Sequence, residues 1–216
     1  QPGGGRTGER RVKDMKALKY LALLGMIVGV VSLTSLNFSD EVAFSSLGFE
    51  VNWEEERAVE LIVAHLADKN ALIPDEQLRD VARTMYDASR RYEVDYRLVL
   101  AVMDAESNFR HDVVSDAGAI GIMQVKPVVA REFSDEVGIP YKRDVLHCPH
   151  ANVRFGVYYL SWLSRYYDNE YAVLYAYNVG FTRARQNMQR NSEPKTWYTR
   201  KVMEEYERNR SRLPGV

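Results

Sequence analysis

Glu106 follows Val99, Val102 and Met103 at helical spacing, so the stretch YRLVLAVMDAESNF places a carboxylate on the core-facing side of a helix. A carboxyl drawn out of water resists ionisation, and a glutamic acid that keeps its proton near neutral pH can act as a general acid. The ordinary alternative is that Glu106, near its helix end, bends to solvent or pairs with Arg110. The residues C-terminal to Glu106 bear on the choice. Ser107 is adjacent, and GAIGIMQVKP at 118–127 brings Gly118, Gly121, Met123 and Gln124. Glycines let a backbone approach a ligand closely, and the Gln124 amide offers both a donor and an acceptor. Pro127 ends the stretch and restricts Lys126 to an extended conformation.

Two further clusters invite chemistry. HCPH at 147–150 has ligand-type residues, but zinc sites usually bring four ligands in separated pairs and no second pair accompanies this one. A loop leading into a helix at Asn152 is the expected reading. Eight aromatic residues fall between Tyr158 and Tyr177, several at helical spacing around Leu160 and Leu163, which points to core packing for most. Tyr175 and Phe181 flank AYNVG at 176–180 and are the better candidates for a groove.

The elements that must position these groups are helical. Val59, Ile62, Val63 and Leu66 predict a helix in WEEERAVELIVAHLADKN, and Leu78, Val81, Ala82, Met85 and Ala88 predict a second from Pro74 to about Tyr92. Asp95 is an N-cap for the helix carrying Glu106. Val153, Gly156, Val157, Leu160 and Leu163 predict a helix within 152–173, and another begins near Tyr171. With no sustained alternation, the expected class is all-α, or mostly α.

Taken together, ES-N-F at 106–109, Ser115 and the 118–127 stretch resemble the catalytic domain of the soluble lytic transglycosylases, relatives of goose-type lysozyme. The resemblance continues through Asn152–Gly156 and Tyr159-Leu160, AYNVG at 176–180, and Tyr198 with Val202, so it covers about 110 residues from Glu93 to Val202. It implies a lysozyme-like lobe with a glycan cleft, cutting the β-1,4 bond between N-acetylmuramic acid and N-acetylglucosamine of peptidoglycan. Most glycosidases need two carboxylates; here Asp104 points elsewhere on the helix, and Asp112 and Asp116 match no catalytic position of the family. The resemblance implies that the substrate's acetamido group supplies the missing nucleophile. Its 6-hydroxyl then closes a 1,6-anhydro ring, with Glu106 first acid and then base, and no metal or cofactor is implied. It further implies that the Gly121 turn lines the cleft with Met123 packed beneath, and that Gln124 holds substrate or orients Glu106. Tyr177 would reach Glu106 through its hydroxyl and help set its pKa. Ser107 would bond near the leaving group and Asn178 would bind sugar, unless they serve only helix-end and turn hydrogen bonding.

The chain departs from the family pattern at Arg110-His111, where Asn-Pro is common, and at Val113, Lys126 and Phe181, which stand for alanine, methionine and proline. Lys195-Thr196 stands where Glu-Thr is usual. A hydrolytic muramidase and a peptidoglycan-binding module without activity, such as the wall-contacting part of an envelope assembly, are the rival readings; intact Glu106, Gln124 and Tyr177 count against the second.

The whole chain has 216 residues and 46% hydrophobic content, enough for one full core. Residues 1–19 hold six of the 29 basic and two of the 30 acidic residues, leaving 23 basic against 28 acidic from Tyr20 onward. That acidic body argues against a nucleic-acid partner. Residues 20–36, YLALLGMIVGVVSLTSL, are uncharged and apolar behind Lys16 and Lys19. They read as a signal peptide or a membrane anchor, their length lying between the two, with the rest of the chain across the membrane in the cell envelope. Met15 is a candidate start. The lone Cys148 can form no internal disulfide. The expected organisation is a basic segment 1–19, the apolar segment 20–36, a linker 37–52, helices 53–92 packed on the lobe, a catalytic domain 93–205 and a tail 206–216.

Overall fold

The computed structural model describes residues 53–69, 71–190 and 193–215. The apolar segment 20–36 and the linker 37–52 lie outside the described residues. Among those described, no helix is long and apolar enough to cross a membrane. The regular structure of the described residues is helical, interrupted by three isolated β-bridges.

Helix α1, Trp53–Asp68, opens on Glu54, Glu55 and Glu56, charges that suit a helix N-terminus, and buries Ala58, Val59, Ile62 and Leu66 along one stripe. Helix α2, Asp75–Arg91, ends on Arg90 and Arg91, the complementary sign. Asp95 caps α3, Tyr96–Ser107, by accepting from the Arg97 N–H, and Asn108 ends it in the left-handed conformation. Two short helices come next, α4 at Pro127–Glu132 and α5 at Ser134–Val137. Pro127 therefore ends the glycine turn by opening a helix at its first position, where a missing N–H costs nothing.

Helix α6, Pro149–Ser164, starts three residues before the expected Asn152, again with proline in its first turn. The chain leaves it at Ser164 and restarts at α7, Glu170–Val179, because Asn169 caps the new helix by accepting from the Ala172 N–H. A single helix across 152–173 is thus replaced by two. Helix α8, Phe181–Gln189, leads to α9, Trp197–Arg212, which is capped by a reciprocal Thr196–Thr199 box.

Helices α3 and α9 form the most extensive pair and run antiparallel. Tyr198 meets Glu106 at one end, while at the other Asn209 Nδ2 donates to the Arg97 carbonyl (3.0 Å) and the Tyr206 hydroxyl to Asp95 (2.8 Å). Helix α9 therefore continues past the expected boundary at 205, and residues 206–212 pack as part of the lobe rather than as a tail. Helices α1 and α2 pack on each other, and α2 lies along α6, with Thr84 Oγ1 2.9 Å from His150 Nδ1 and the Tyr92 and Tyr158 rings 5.1 Å apart. Residues Asn52–Val216 form one compact unit with a single continuous core.

Candidate active site

The site is built where the C-terminus of α3 meets the loop 113–125. Val99, Val102 and Met103 are fully buried, so the predicted stripe is real and Glu106 continues it at the edge of the core. The carboxyl points back into protein. The Tyr198 hydroxyl donates to Glu106 Oε1 at 2.6 Å. Burial pushes the Glu106 carboxyl up to about 7, against the pull of the Tyr198 hydrogen bond and the Lys201 charge, both of which favour the ionised form. Tyr177 and Tyr198 are themselves held well above the ordinary phenol range by burial and by the nearby Glu106 charge, so both remain neutral donors.

The neighbouring carboxylates have other work. Asp104 is 3.8 Å from Lys69 Nζ, and Lys69 also donates to Glu205 at 2.8 Å. Arg110, the alternative partner for Glu106, instead donates from Nε to the Ser107 carbonyl.

The loop joined to the end of α3 through Ser107 is a folded double turn. The Gly121 N–H donates to the Val113 carbonyl (2.8 Å), Ser115 N–H to Ala119 (2.9 Å) and Gln124 N–H to Gly121 (3.0 Å). Gly121 has φ +79°, and a Cβ there would run into the Asn152 side chain and the Leu146 carbonyl, so both conformation and space demand glycine. Three helices grip this turn by its backbone. The Ser107 hydroxyl of α3 lies 2.8 Å from the Ile122 carbonyl. Asn152 of α6, fully buried, accepts from the Met123 N–H (2.9 Å) and donates to the Ile120 (2.7 Å) and Leu146 (2.9 Å) carbonyls. The Tyr177 hydroxyl of α7 donates to the Met123 carbonyl at 2.8 Å. The Met123 side chain is buried against Gly156, whose missing Cβ makes the space. Asn108, Phe109 and Gln124 have positive φ, as does Glu93 before α3, so three of these four departures from ordinary backbone among the described residues fall at the end of α3 and in the turn.

This geometry corrects several expectations. The hydroxyl that reaches Glu106 is that of Tyr198, because Tyr177 is turned to the Met123 carbonyl. Ser107 is buried and spends its hydroxyl on the turn. The Gln124 amide donates to the Val113 (3.1 Å) and Gly121 (2.9 Å) carbonyls, bracing its own loop. Met123 offers no side-chain surface to a ligand. Asn178 is exposed in the last turn of α7, so AYNVG is a helix end before Gly180 (φ +89°) rather than a turn. Tyr175 is buried and accepts from Asn187 Nδ2 at 2.7 Å. HCPH spans a single 3₁₀ turn and the start of α6, with His150 facing Thr84 and Cys148 exposed. Among the described residues no cluster of three or more His, Cys, Asp or Glu could hold a metal. In the sequence, Asn152 stands out only as part of a helix start and Tyr198 only as a motif position. Their one-letter pattern is visible there, but their partners lie 29 and 92 residues away.

Residues 83–199 match the transglycosylase SLT domain family. The chain belongs to this family. Membrane-bound lytic murein transglycosylase C of Salmonella arizonae is 39% identical over 105 residues, covering 43% of this chain and 29% of that protein. Its Klebsiella pneumoniae counterpart is 40% identical over 105 residues, with the same shares. The match thus spans under a third of the length of these relatives. The crystal structure of the 70 kDa soluble lytic transglycosylase from Escherichia coli superposes with a TM-score of 0.52 at 19% identity, covering 73% of this chain and 30% of that one. That likeness establishes a shared fold. Glu106 and the 118–127 turn both lie inside the region matched by the SLT family.

Proposed function

We propose that this SLT-domain protein is a peptidoglycan lytic transglycosylase that cleaves the N-acetylmuramyl-β-1,4-N-acetylglucosamine bond without water. The observation that carries the reading is the Glu106 carboxyl, which burial brings to about 7 beside a neutral tyrosine donor. Such a group is partly protonated at neutral pH, where a general acid must hold a transferable proton yet be able to take one back. Family membership and the names of the murein transglycosylase relatives supply the substrate class.

Glu106 donates its proton to the glycosidic oxygen as the C1–O bond breaks, and the N-acetylglucosamine side leaves as an alcohol. The muramyl acetamido oxygen bonds to C1 in its place. The 6-hydroxyl of the same sugar then attacks C1, displaces the acetamido oxygen and returns a proton to Glu106. Atoms balance with no water consumed, and the enzyme ends in its starting protonation state. Tyr198 holds Oε1 by a hydrogen bond that stabilises the carboxylate between the two steps. The rigid turn gripped by Ser107, Asn152 and Tyr177 forms the opposing wall, shaped from within by Gly121, buried against Asn152 and Leu146, and by the Gln124 amide that braces the loop, with Asn178 at the rim.

The apolar segment 20–36 behind a basic flank, together with the membrane-bound naming of the relatives, supports action in the cell envelope with residues 20–36 as anchor or cleaved signal. Mass spectrometry of fragments released from purified peptidoglycan tests the reading, with Glu106→Gln alongside. Anhydromuramyl ends that vanish in the variant are expected; reducing muramic acid ends would make the protein a hydrolase.

A further inference from the structure

The start of α9 carries two side chains that the mechanism leaves unused. Trp197 is 72% exposed, the most exposed large hydrophobic residue among those described. It precedes Tyr198, the donor to Glu106, so the indole projects from the same helical turn that bounds the acid. Lys201 lies four residues on and hence on the same face as Trp197, with Nζ 5.8 Å from the indole centroid. Its charge is felt at the Glu106 carboxyl. Among the described residues Lys201 forms no ion pair, whereas Lys69, just past the end of α1, is engaged by Glu205. The Thr196–Thr199 box already satisfies the helix start, so the fold makes no use of the indole as a cap.

An exposed indole beside an unneutralised ammonium, next to the acid, matches a ligand with an apolar face and a carboxylate. Resting on the proposed transglycosylase reaction, we propose that Trp197 and Lys201 form a subsite for the acidic arm of the muramyl residue held at Glu106. The indole packs on the sugar and the methyl of its lactyl ether. The ammonium pairs with a carboxylate, either of the bare lactyl group or of the peptide attached to it. N-acetylglucosamine carries no such arm, so the subsite would select which sugar of the alternating strand presents its C1 to the acid.

Equilibrium binding by the full chain carrying Glu106→Gln tests this without turnover. The ligands are soluble glycan strands bearing peptides, strands stripped to the lactyl carboxylate by an amidase, and stripped strands whose carboxylates are converted to methylamides. Adding Lys201→Gln should weaken binding of the charged strands about three- to tenfold and leave the methylamide strands unchanged. Loss confined to peptide-bearing strands would assign the carboxylate to the peptide, and loss confined to stripped strands would assign it to the lactyl group, whose carboxyl is an amide wherever the peptide is attached; equal loss on both would show that the ammonium takes either carboxylate. Adding Trp197→Ala should weaken all three. If Lys201→Gln binds charged strands as tightly as its parent, or loses affinity equally for the methylamides, the subsite is refuted. Failure of the Glu106→Gln parent to bind any strand, with no cleavage by the wild type, would instead remove the transglycosylase reading itself.

Discussion

Substituting Glu106 by Gln should change stability as well as activity, with a sign set by pH. The carboxyl's ordinary value is 4.5, and burial takes it to about 7 in the folded protein. A raised folded value means that the native state holds its proton more tightly than the unfolded chain. The resulting stability is fully present below 4.5 and is lost as pH rises through about 7. Each pH unit in that window costs the folded state about 1.4 kcal/mol, so about 3 kcal/mol is lost between pH 4.5 and pH 8. Glutamine keeps the shape and does not titrate. The difference in stability between variant and wild type should therefore swing toward the variant by about 3 kcal/mol across this range, or about 6–12 °C in Tm for a unit of this size. Thermal unfolding of both proteins from pH 4.5 to 8, followed by circular dichroism, gives the difference directly, and all other titrating groups cancel in it. A difference that stays flat with pH would show that Glu106 is not held protonated by burial, and the acid assignment would fall with it. Cleavage by the variant should drop about a hundredfold or more.

Tyr198→Phe removes the one hydrogen bond that favours the Glu106 carboxylate, so the alkaline limb of the wild-type pH–activity profile should move upward by about one unit. Rates measured across pH 5–9 check this, and a downward shift would contradict it. Asn152→Ala removes three hydrogen bonds, two of them to the turn, and leaves the buried Met123 N–H without a partner, which should cost about 2–4 kcal/mol in urea unfolding and lower activity through loosening of the turn. Gly156→Ala drives a methyl into Met123 and should cost about 1–3 kcal/mol, read as a lower Tm; Gly138→Ala, whose Cβ meets nothing, gives the cost of a left-handed glycine alone.

The amino-acid sequence by itself determined the helical class, the cap at Asp95 and the stripe that buries Glu106, because each depends on residues within a few positions of one another. Helical periodicity is local, and so is the preference of proline for a first turn, which also accounts for the early start of α6 at Pro149. The break between α6 and α7 was hidden because aromatic and apolar residues keep a helical rhythm straight through it, and one capping asparagine decided the matter. Motif order was enough to single out Glu106 and the glycine turn as the candidate site.

Which hydroxyl meets the carboxyl was a question for tertiary structure. Tyr177 and Tyr198 are both buried tyrosines near Glu106, and only the antiparallel seating of α9 on α3 brings the second within 2.6 Å while α7 aims the first at Met123. The same packing turned Ser107, Gln124 and Asn152 into braces for a backbone turn, since a buried peptide group must find a partner from whichever helix passes closest. Local sequence names the polar groups. Long-range packing decides which of them are spent holding the site and which remain for the substrate.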